Sequence, residues 1–380
     1  MDHWALRLQS TNAPTSIAYA AGRYFGLGLA LYHDSLDASA WEYHEVPAAL
    51  EAGFPVPLNS VACGQGLWVM VGGFPDVSTS GILLTTRDVA DPDWQKAVGW
   101  TDSAPLMAVV FENGRFVAVG GSVITGARIL TSDDGVKWTD RSPGFRQTVL
   151  RDVAYGGGRW VAVGGLNQGG APTAGIILSS TNAVDWTVHD PGPIPGARNG
   201  WYVLNGVAYG RGIFVTTGFG DRFVPFLATS NTGSEWTPQS GDSGGSGWDV
   251  AFGDGLLVTS GSMRVASSVT GSPMSWTPHL SVELRGNLVF ADHAFLGGFR
   301  GEVWQSGDVR PRILPITVSE SKSLTLRVAA VRSKPLALEQ TVDLVHWTTR
   351  TQWVAAESIR EISIPISDSE PARLFRVRMP

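Results

Sequence analysis

Val153-Ala-Tyr-Gly-Gly-Gly-Arg-Trp-Val-Ala-Val-Gly-Gly165, followed by Ile176-Ile-Leu-Ser-Ser180 and Asp185-Trp-Thr187, reads as strand, tight glycine turn, strand, loop, strand, turn, strand. The opening pair recurs at Ala18-Tyr19, Ala62-Cys63, Val110-Phe111, Ala154-Tyr155, Ala208-Tyr209, Ala251-Phe252 and Val289-Phe290, seven starts spaced 38 to 54 residues apart. A second apolar run follows each start, as in Arg115-Phe-Val117 and Ile213-Phe-Val215. Six units end on a tryptophan: Trp41, Trp94, Trp138, Trp186, Trp236 and Trp276. Four short strands repeated at this period mark a β-propeller.

Six closing tryptophans for seven starts leave one strand missing. The seventh unit runs as far as Val303-Trp-Gln-Ser306, which matches the third run Ile129-Leu-Thr-Ser132. Its fourth run stands at the other end of the chain, where His3-Trp-Ala-Leu-Arg7 copies Lys137-Trp-Thr-Asp-Arg141. The expected fold is therefore all-β, a seven-bladed propeller closed by its N-terminal strand. Closure removes the open sheet edges that promote aggregation.

Composition agrees with many short strands and turns: 46 Gly and 22 Pro in 380 residues, with no sustained helical period. No apolar run is long enough for a transmembrane helix. Met1-Asp2-His3-Trp4 does not read as a signal peptide, and with Trp4 already in a strand the chain has the look of a mature form. The single cysteine, Cys63, fills the place of Tyr155 in its own repeat and reads as a small apolar residue. The net charge of -6 divides unevenly, about -10 over residues 1–308 and +4 over 309–380. An acidic ring argues against nonspecific nucleic-acid binding.

Thr131-Ser-Asp-Asp-Gly-Val-Lys-Trp138 resembles the Asp-box of sialidase-like propellers, a Ser/Thr-x-Asp-x-Gly-x-x-Trp turn between third and fourth strands. In that register Asp133 is the acceptor, Gly135 the left-handed residue and Trp138 the buried plug. Blade five keeps Thr229, Asn231, Gly233 and Trp236, and blade four keeps Ser179 and Trp186. In that family the box is a folding device, so the resemblance implies fold and not activity. Neither Phe145-Arg146 nor Phe299-Arg300 continues into the Ile-Pro of true sialidases.

Two prolines in Arg310-Pro-Arg-Ile-Leu-Pro315 mark a linker, giving domains 1–308, 309–315 and 316–380. The last has period-2 runs such as Leu324-Thr-Leu-Arg-Val328. With Glu339-Gln-Thr-Val-Asp-Leu-Val-His-Trp-Thr348 and Arg373-Leu-Phe-Arg-Val-Arg378, it resembles a small C-terminal β-sandwich appended to secreted bacterial proteins. The resemblance implies a secreted or periplasmic protein.

Strand alternation puts first-to-second and third-to-fourth turns at one end of the ring. The longer second-to-third loops and the blade connections lie at the other, and there a site is expected, at the channel mouth. The loops bring Asp76, Arg128, Asp221, Arg222, Arg264, Arg300 and Glu302 to that mouth, and Trp201 and Trp248 either offer faces to a sugar ring or pack the loops. Arg222, Arg264 and Arg300 at matching places suit an anion, or else pair with Asp221 and Glu302. Asp152 and Asp249 occupy one repeat position, counted as three blades apart. With Asp221 they are the candidates for acid/base work, or else carboxylates held by loop N–H groups. His44, His189 and His279 each follow a closing tryptophan by three residues and fall on separate outer strands, too scattered for one metal. No cofactor is required; calcium at Asp76, Asp221 or Glu302 is an option.

Two functions fit: a monomeric extracytoplasmic protein binding a glycan or anionic small molecule at the channel mouth, or a hydrolase, less readily a lyase, working there on a glycan, ester or phosphoester. Fold alone does not choose between them.

Overall fold

The computed structural model describes the chain except residues 1–3, 11–13, 50–53, 76, 78–79, 101–103, 169–170, 193–201, 221–223, 240–246, 262–264, 269, 272–275, 280–283, 285, 300–301, 307–311, 314–316, 320–322, 330–334, 342–346, 355–358, 366–373 and 379–380. Seven four-stranded sheets follow one another along it. Blade four shows the plan, with strands Thr148–Gly156, Arg159–Gln168, Ala171–Ser180 and Thr187–His189 paired antiparallel in chain order. The inner strand of each blade touches that of the next, and the inner strand of blade seven, Leu288–Ala291, touches that of blade one, Ser16–Ala20. The ring is closed. Trp4–Gln9 lies beside Glu302–Ser306 as the outermost strand of blade seven.

The core lies between blades. In the second strand of blade four, Trp160 and Ala162 pack toward blade three, against Val117 and Ile129. Val161 and Val163 pack toward blade five, against Phe214 and Phe226. Successive side chains of a strand point to opposite faces, so one alternating strand serves two neighbouring layers. At the seam Leu8 joins Ile17 and Tyr24 of blade one with Leu296 and Val303 of blade seven.

An aromatic pair closes the first hairpin in several blades, as Tyr155 on Trp160 (ring centroids 4.8 Å apart) and Phe290 on Phe295 (4.9 Å). In blade two the pairing partner of Trp68 is Cys63. Burial pushes that thiol's pKa up, which keeps it protonated and unreactive.

In blades two to five the inner strand carries an extra residue, Asn59, Met107, Arg151 or Asn205, where the register slips against the second strand. The bulge drives an inner-strand carbonyl into the second strand, which answers with glycine. A Cβ on Gly72, Gly120, Gly164 or Gly218 would lie 2.2, 2.2, 2.1 or 1.9 Å from the carbonyl oxygen of Pro57, Pro105, Val149 or Val203. The recurring Val-Gly-Gly of the sequence is thus the imprint of the bulge.

The turns between third and fourth strands hold the tryptophans. Asp134, not Asp133, is the acceptor in blade three: its carboxylate takes the N–H groups of Val136 (2.9 Å) and Lys137 (2.8 Å). Ser132 takes that of Gly135 (2.8 Å), and the Trp138 indole donates to Gly135 O (2.9 Å). Asp37, Asn182 and Thr232 play the same part in blades one, four and five. Asp133 lies one residue off this register and pairs with Arg115 (2.7 Å).

By their contacts the residues group into two units, 4–291 with 295–305, and 306–380 with 1–3 and 292–294. In the second unit Arg312–Ile313, Thr317–Ser319, Ser323–Ala329 and Ile359–Pro365 form one sheet, and Pro335–Thr341, Thr348–Val354 and Leu374–Arg378 another. Leu326, Leu338 and Ile364 are buried between them. The buried Glu339 is met by Arg376 at 2.8 Å.

Candidate functional site

An inner strand has a blade partner on one side only, so its other edge presents unpaired N–H and C=O groups to the channel wall. Polar side chains at the bulged end satisfy many of them, and they do so across blades. Ser16 donates to Asn59 O (2.9 Å), Asn59 Nδ2 to Leu106 O (2.9 Å), and Ser60 accepts from Val109 N–H (3.2 Å). Asp152 accepts from Val207 N–H (2.8 Å), Asn205 Nδ2 donates to Gly247 O (2.6 Å), and Asp249 accepts from Leu288 N–H (2.7 Å). These bonds join blades one to two, two to three, four to five, five to six and six to seven.

Asp152 and Asp249 share a repeat position and use it identically. The second oxygen of each accepts the N–H of the next residue, Val153 (2.8 Å) or Val250 (2.7 Å). They are two blades apart rather than three, on either side of blade five. Between them Gly206 leaves the room they need: a Cβ there would lie 2.2 Å from Asp249 Oδ1.

Burial raises both carboxyls, against the opposing pull of the N–H donors. Asp152 keeps some exposed surface, but its carboxyl group sits in the packed wall and is pushed up to about 7. Asp249 rises well above the usual carboxylate range, from burial first and then from the charge on Asp152. The pair therefore retains a proton close to neutrality.

A folded-state pKa above the unfolded one means that the folded chain holds protons the unfolded chain releases. The pair's contribution to stability is complete below the ordinary carboxylate pKa and is lost as pH rises through about 7. His33 and His189 act in the opposite sense, since burial lowers both. We expect thermal midpoints recorded from about pH 5 to 8 to fall more steeply for the wild type than for Asp249→Asn. Equal slopes would rule the pair out as the source.

Other residues singled out in the sequence are engaged in the ring. Arg128 Nη1 donates to Thr125 O (2.7 Å) and Ala127 O (3.2 Å), bracing its own turn. Glu302 accepts from the Trp304 indole (2.9 Å) and lies 3.5 Å from Gln9 Nε2, within the closing seam. Trp248 packs on Phe219 with ring centroids 5.3 Å apart. Asp76, Trp201, Asp221, Arg222, Arg264 and Arg300 lie outside the described residues.

The three histidines that follow a closing tryptophan sit on separate blades, each bound to a third-strand side chain: His44 to Asp34 (2.7 Å), His189 to Ser179 (2.7 Å) and His279 to Ser267 (2.8 Å). Gln239 with Thr229 (3.0 Å) and Arg7 with Gln305 (2.7 Å) are the equivalents in blades five and seven. Ligand atoms of Asp34, Glu42 and His44 lie within 4.8 Å of one another. Asp34 is also ion-paired with Arg23, so a cation already occupies that cluster.

Among the described residues, open grooves lie at the opposite end from the bulges, beside the short turns. One of about 320 Å³ is lined by Arg115, Thr131, Lys137, Thr139 and Arg141 together with Asp133 and Asp134. Another of about 470 Å³ lies between blades two and three, with Asp88, Asp91 and Asp93 on its wall. No described helix is long and apolar enough to cross a membrane.

No protein-family model and no curated protein matches this chain. Solved structures do. PorZ, a bacterial surface component of the type-IX secretion system of Porphyromonas gingivalis, superposes with a TM-score of 0.58 at 11% identity, over 98% of this chain and 58% of its own. The extracellular domain of the putative one-component system BT4673 from B. thetaiotaomicron gives 0.55 at 8% identity, over 97% and 54%. The WD40 domain of Toxoplasma gondii coronin gives 0.52 at 11%, over 80% and 85%. This chain thus spans little more than half the length of the first two. At these identities the likeness carries the β-propeller fold and no activity.

Proposed function

We propose that this protein is an extracytoplasmic ligand-binding propeller that takes a glycan or an anionic small molecule at the bulged mouth of its channel. The supporting observation is the belt of inter-blade hydrogen bonds at that mouth, with Asn59, Asp152, Asn205 and Asp249 as its members. A rim held this way is preformed, so a ligand does not bear the cost of ordering it. Trp201, Arg222, Arg264 and Arg300, with Asp76 and Asp221, which lie outside the described residues and which the sequence assigns to the variable loops, are the proposed ligand contacts. The C-terminal unit is read as an accessory sandwich. An extracytoplasmic setting agrees with that module and with the surface and extracellular origin of two similar structures.

One observation favours a hydrolase: Asp152 and Asp249 are two carboxyls of raised pKa that hold a proton between them. Their oxygens are already engaged by backbone N–H groups, which places binding first.

A glycan array, run beside a chromogenic panel of glycosides, esters, phosphoesters and sulfate esters, separates the readings. We expect glycan retention that disappears in Asp221→Ala/Arg264→Ala, without turnover. Turnover abolished by Asp249→Asn would instead establish the hydrolase. Retention that survives the double substitution would mean the ligand sits elsewhere.

A further inference from the structure

A polar triad, formed where the second strand starts, the third ends and the fourth runs, recurs in blades one, three and four. In blade one it is Arg23, Asp34 and His44, and the Asp34 carboxylate is held by both partners. In blade four it is Arg159, Ser179 and His189, with Ser179 between the other two at 3.1 and 2.7 Å. In blade three the same places hold Arg115, Thr131 and Arg141, as the strand registers show. The outer two places there hold arginines and the middle one a neutral hydroxyl; Arg115 donates to Asp133 (2.7 Å) and to Asn182 O (2.9 Å), and the middle place has no carboxylate like that of blade one.

The blade-three triad also opens to solvent, in the groove of about 320 Å³ that Thr139 and Lys137 help to line. That volume is within the range of small-molecule pockets. Arg141 Nε is shut off from solvent and has no hydrogen-bond partner among the described residues. A buried N–H of this kind calls for an acceptor. Local charges leave that cation unbalanced. Asp133 is engaged by Arg115. Asp134 is taken up by two backbone N–H groups and lies beside the Lys137 charge. Asp140 caps Ser142 N–H (2.7 Å), and as the neighbour of Arg141 on an extended strand it faces the other way.

We propose that this groove is a binding site for a carboxylate-bearing small molecule, whose carboxylate takes between Arg115 and Arg141 the place that Asp34 fills in blade one. Guanidinium groups match a carboxylate in shape as well as charge. The Thr131 and Thr139 hydroxyls beside them suit a polyhydroxylated acid such as a sugar acid. The site is separate from the channel mouth, so its fate does not depend on the function proposed above.

Sister blades supply the test. Arg141→Gln copies blade five, where Gln239 bonds Thr229, and Thr131→Asp copies blade one. Both are expected to fold, and Thr131→Asp to melt higher than wild type. Glucuronate, acetate and the neutral methyl glucoside are titrated into the full-length protein, followed by calorimetry and by the Arg Nε–H resonances. The Arg141 Nε–H resonance of the wild type should shift with glucuronate and acetate but not with methyl glucoside. Affinity for glucuronate should fall about tenfold or more in each variant, the worth of one charge-assisted hydrogen bond. Acetate and glucuronate binding equally would assign the site to the carboxylate alone and drop the sugar requirement. No shift at Arg141, or binding unchanged in Arg141→Gln and Thr131→Asp, overturns the proposal.

Discussion

Gly164→Ala is expected to destabilise the propeller by about 3 kcal/mol, at the upper end of what overpacking costs. The new methyl would lie 2.1 Å from Val149 O and 2.8 Å from Leu150 Cα. Both are backbone atoms of the inner strand, so no side chain can turn aside to make room. Relief requires either losing the bulge at Arg151 or parting the two strands. Losing the bulge moves Asp152 out of reach of Val207 N–H; parting the strands breaks the ladder from Thr148 to Gly156. Chemical denaturation of the variant beside wild type measures the cost. A change within about 0.5 kcal/mol, the usual range of an innocuous surface substitution, would show that the bulge is not held as described.

Deleting Trp4–Gln9 should have the larger consequence. The strand Glu302–Ser306 would become an open edge, Gln305 would lose Arg7, and Leu8 would leave the cluster that joins blades one and seven. An unpaired edge recruits other chains. We expect the truncated protein to melt well below wild type and to self-associate on a sizing column. A peptide of residues 1–12 added in trans should restore the monomer. A truncated chain that stays monomeric with an unchanged melting midpoint would refute closure by this strand.

The ring was legible because its signals are local and repeated. A glycine turn beside an aromatic pair can be counted from Tyr19 to Phe290, and the displaced Trp4 strand gives away the seam. The turn acceptor was misread by one residue because Asp133 and Asp134 are adjacent and both fit a spaced pattern. Blade one held the signal that separates them, since Asp37 directly precedes the left-handed Ala38 (φ 59°). The equivalence of Asp152 and Asp249 was readable, but not what they bind. Their partners are backbone N–H groups of the next blade, 55 and 39 residues away, and a backbone group leaves no mark in a sequence. The blade-three groove was missed because short turns were taken for plain connectors. Its meaning appears only when Arg115, Thr131 and Arg141 are laid on Arg23, Asp34 and His44.

The seam also decides how the ring would respond to a pull. Arg7 faces Gln305 and Gln9 faces Glu302, so the two strands run in opposite directions. Residue 4 therefore leaves the sheet at the same end as residue 306. Force applied between those two points falls on one pair of hydrogen bonds at a time and peels the strand away like a zip, whereas a sheared pair would share the load along its length. A propeller of this kind, tethered through residue 4 and towed from residue 306, yields first at blade seven, at low force, while the other blades keep the inter-blade bonds between them.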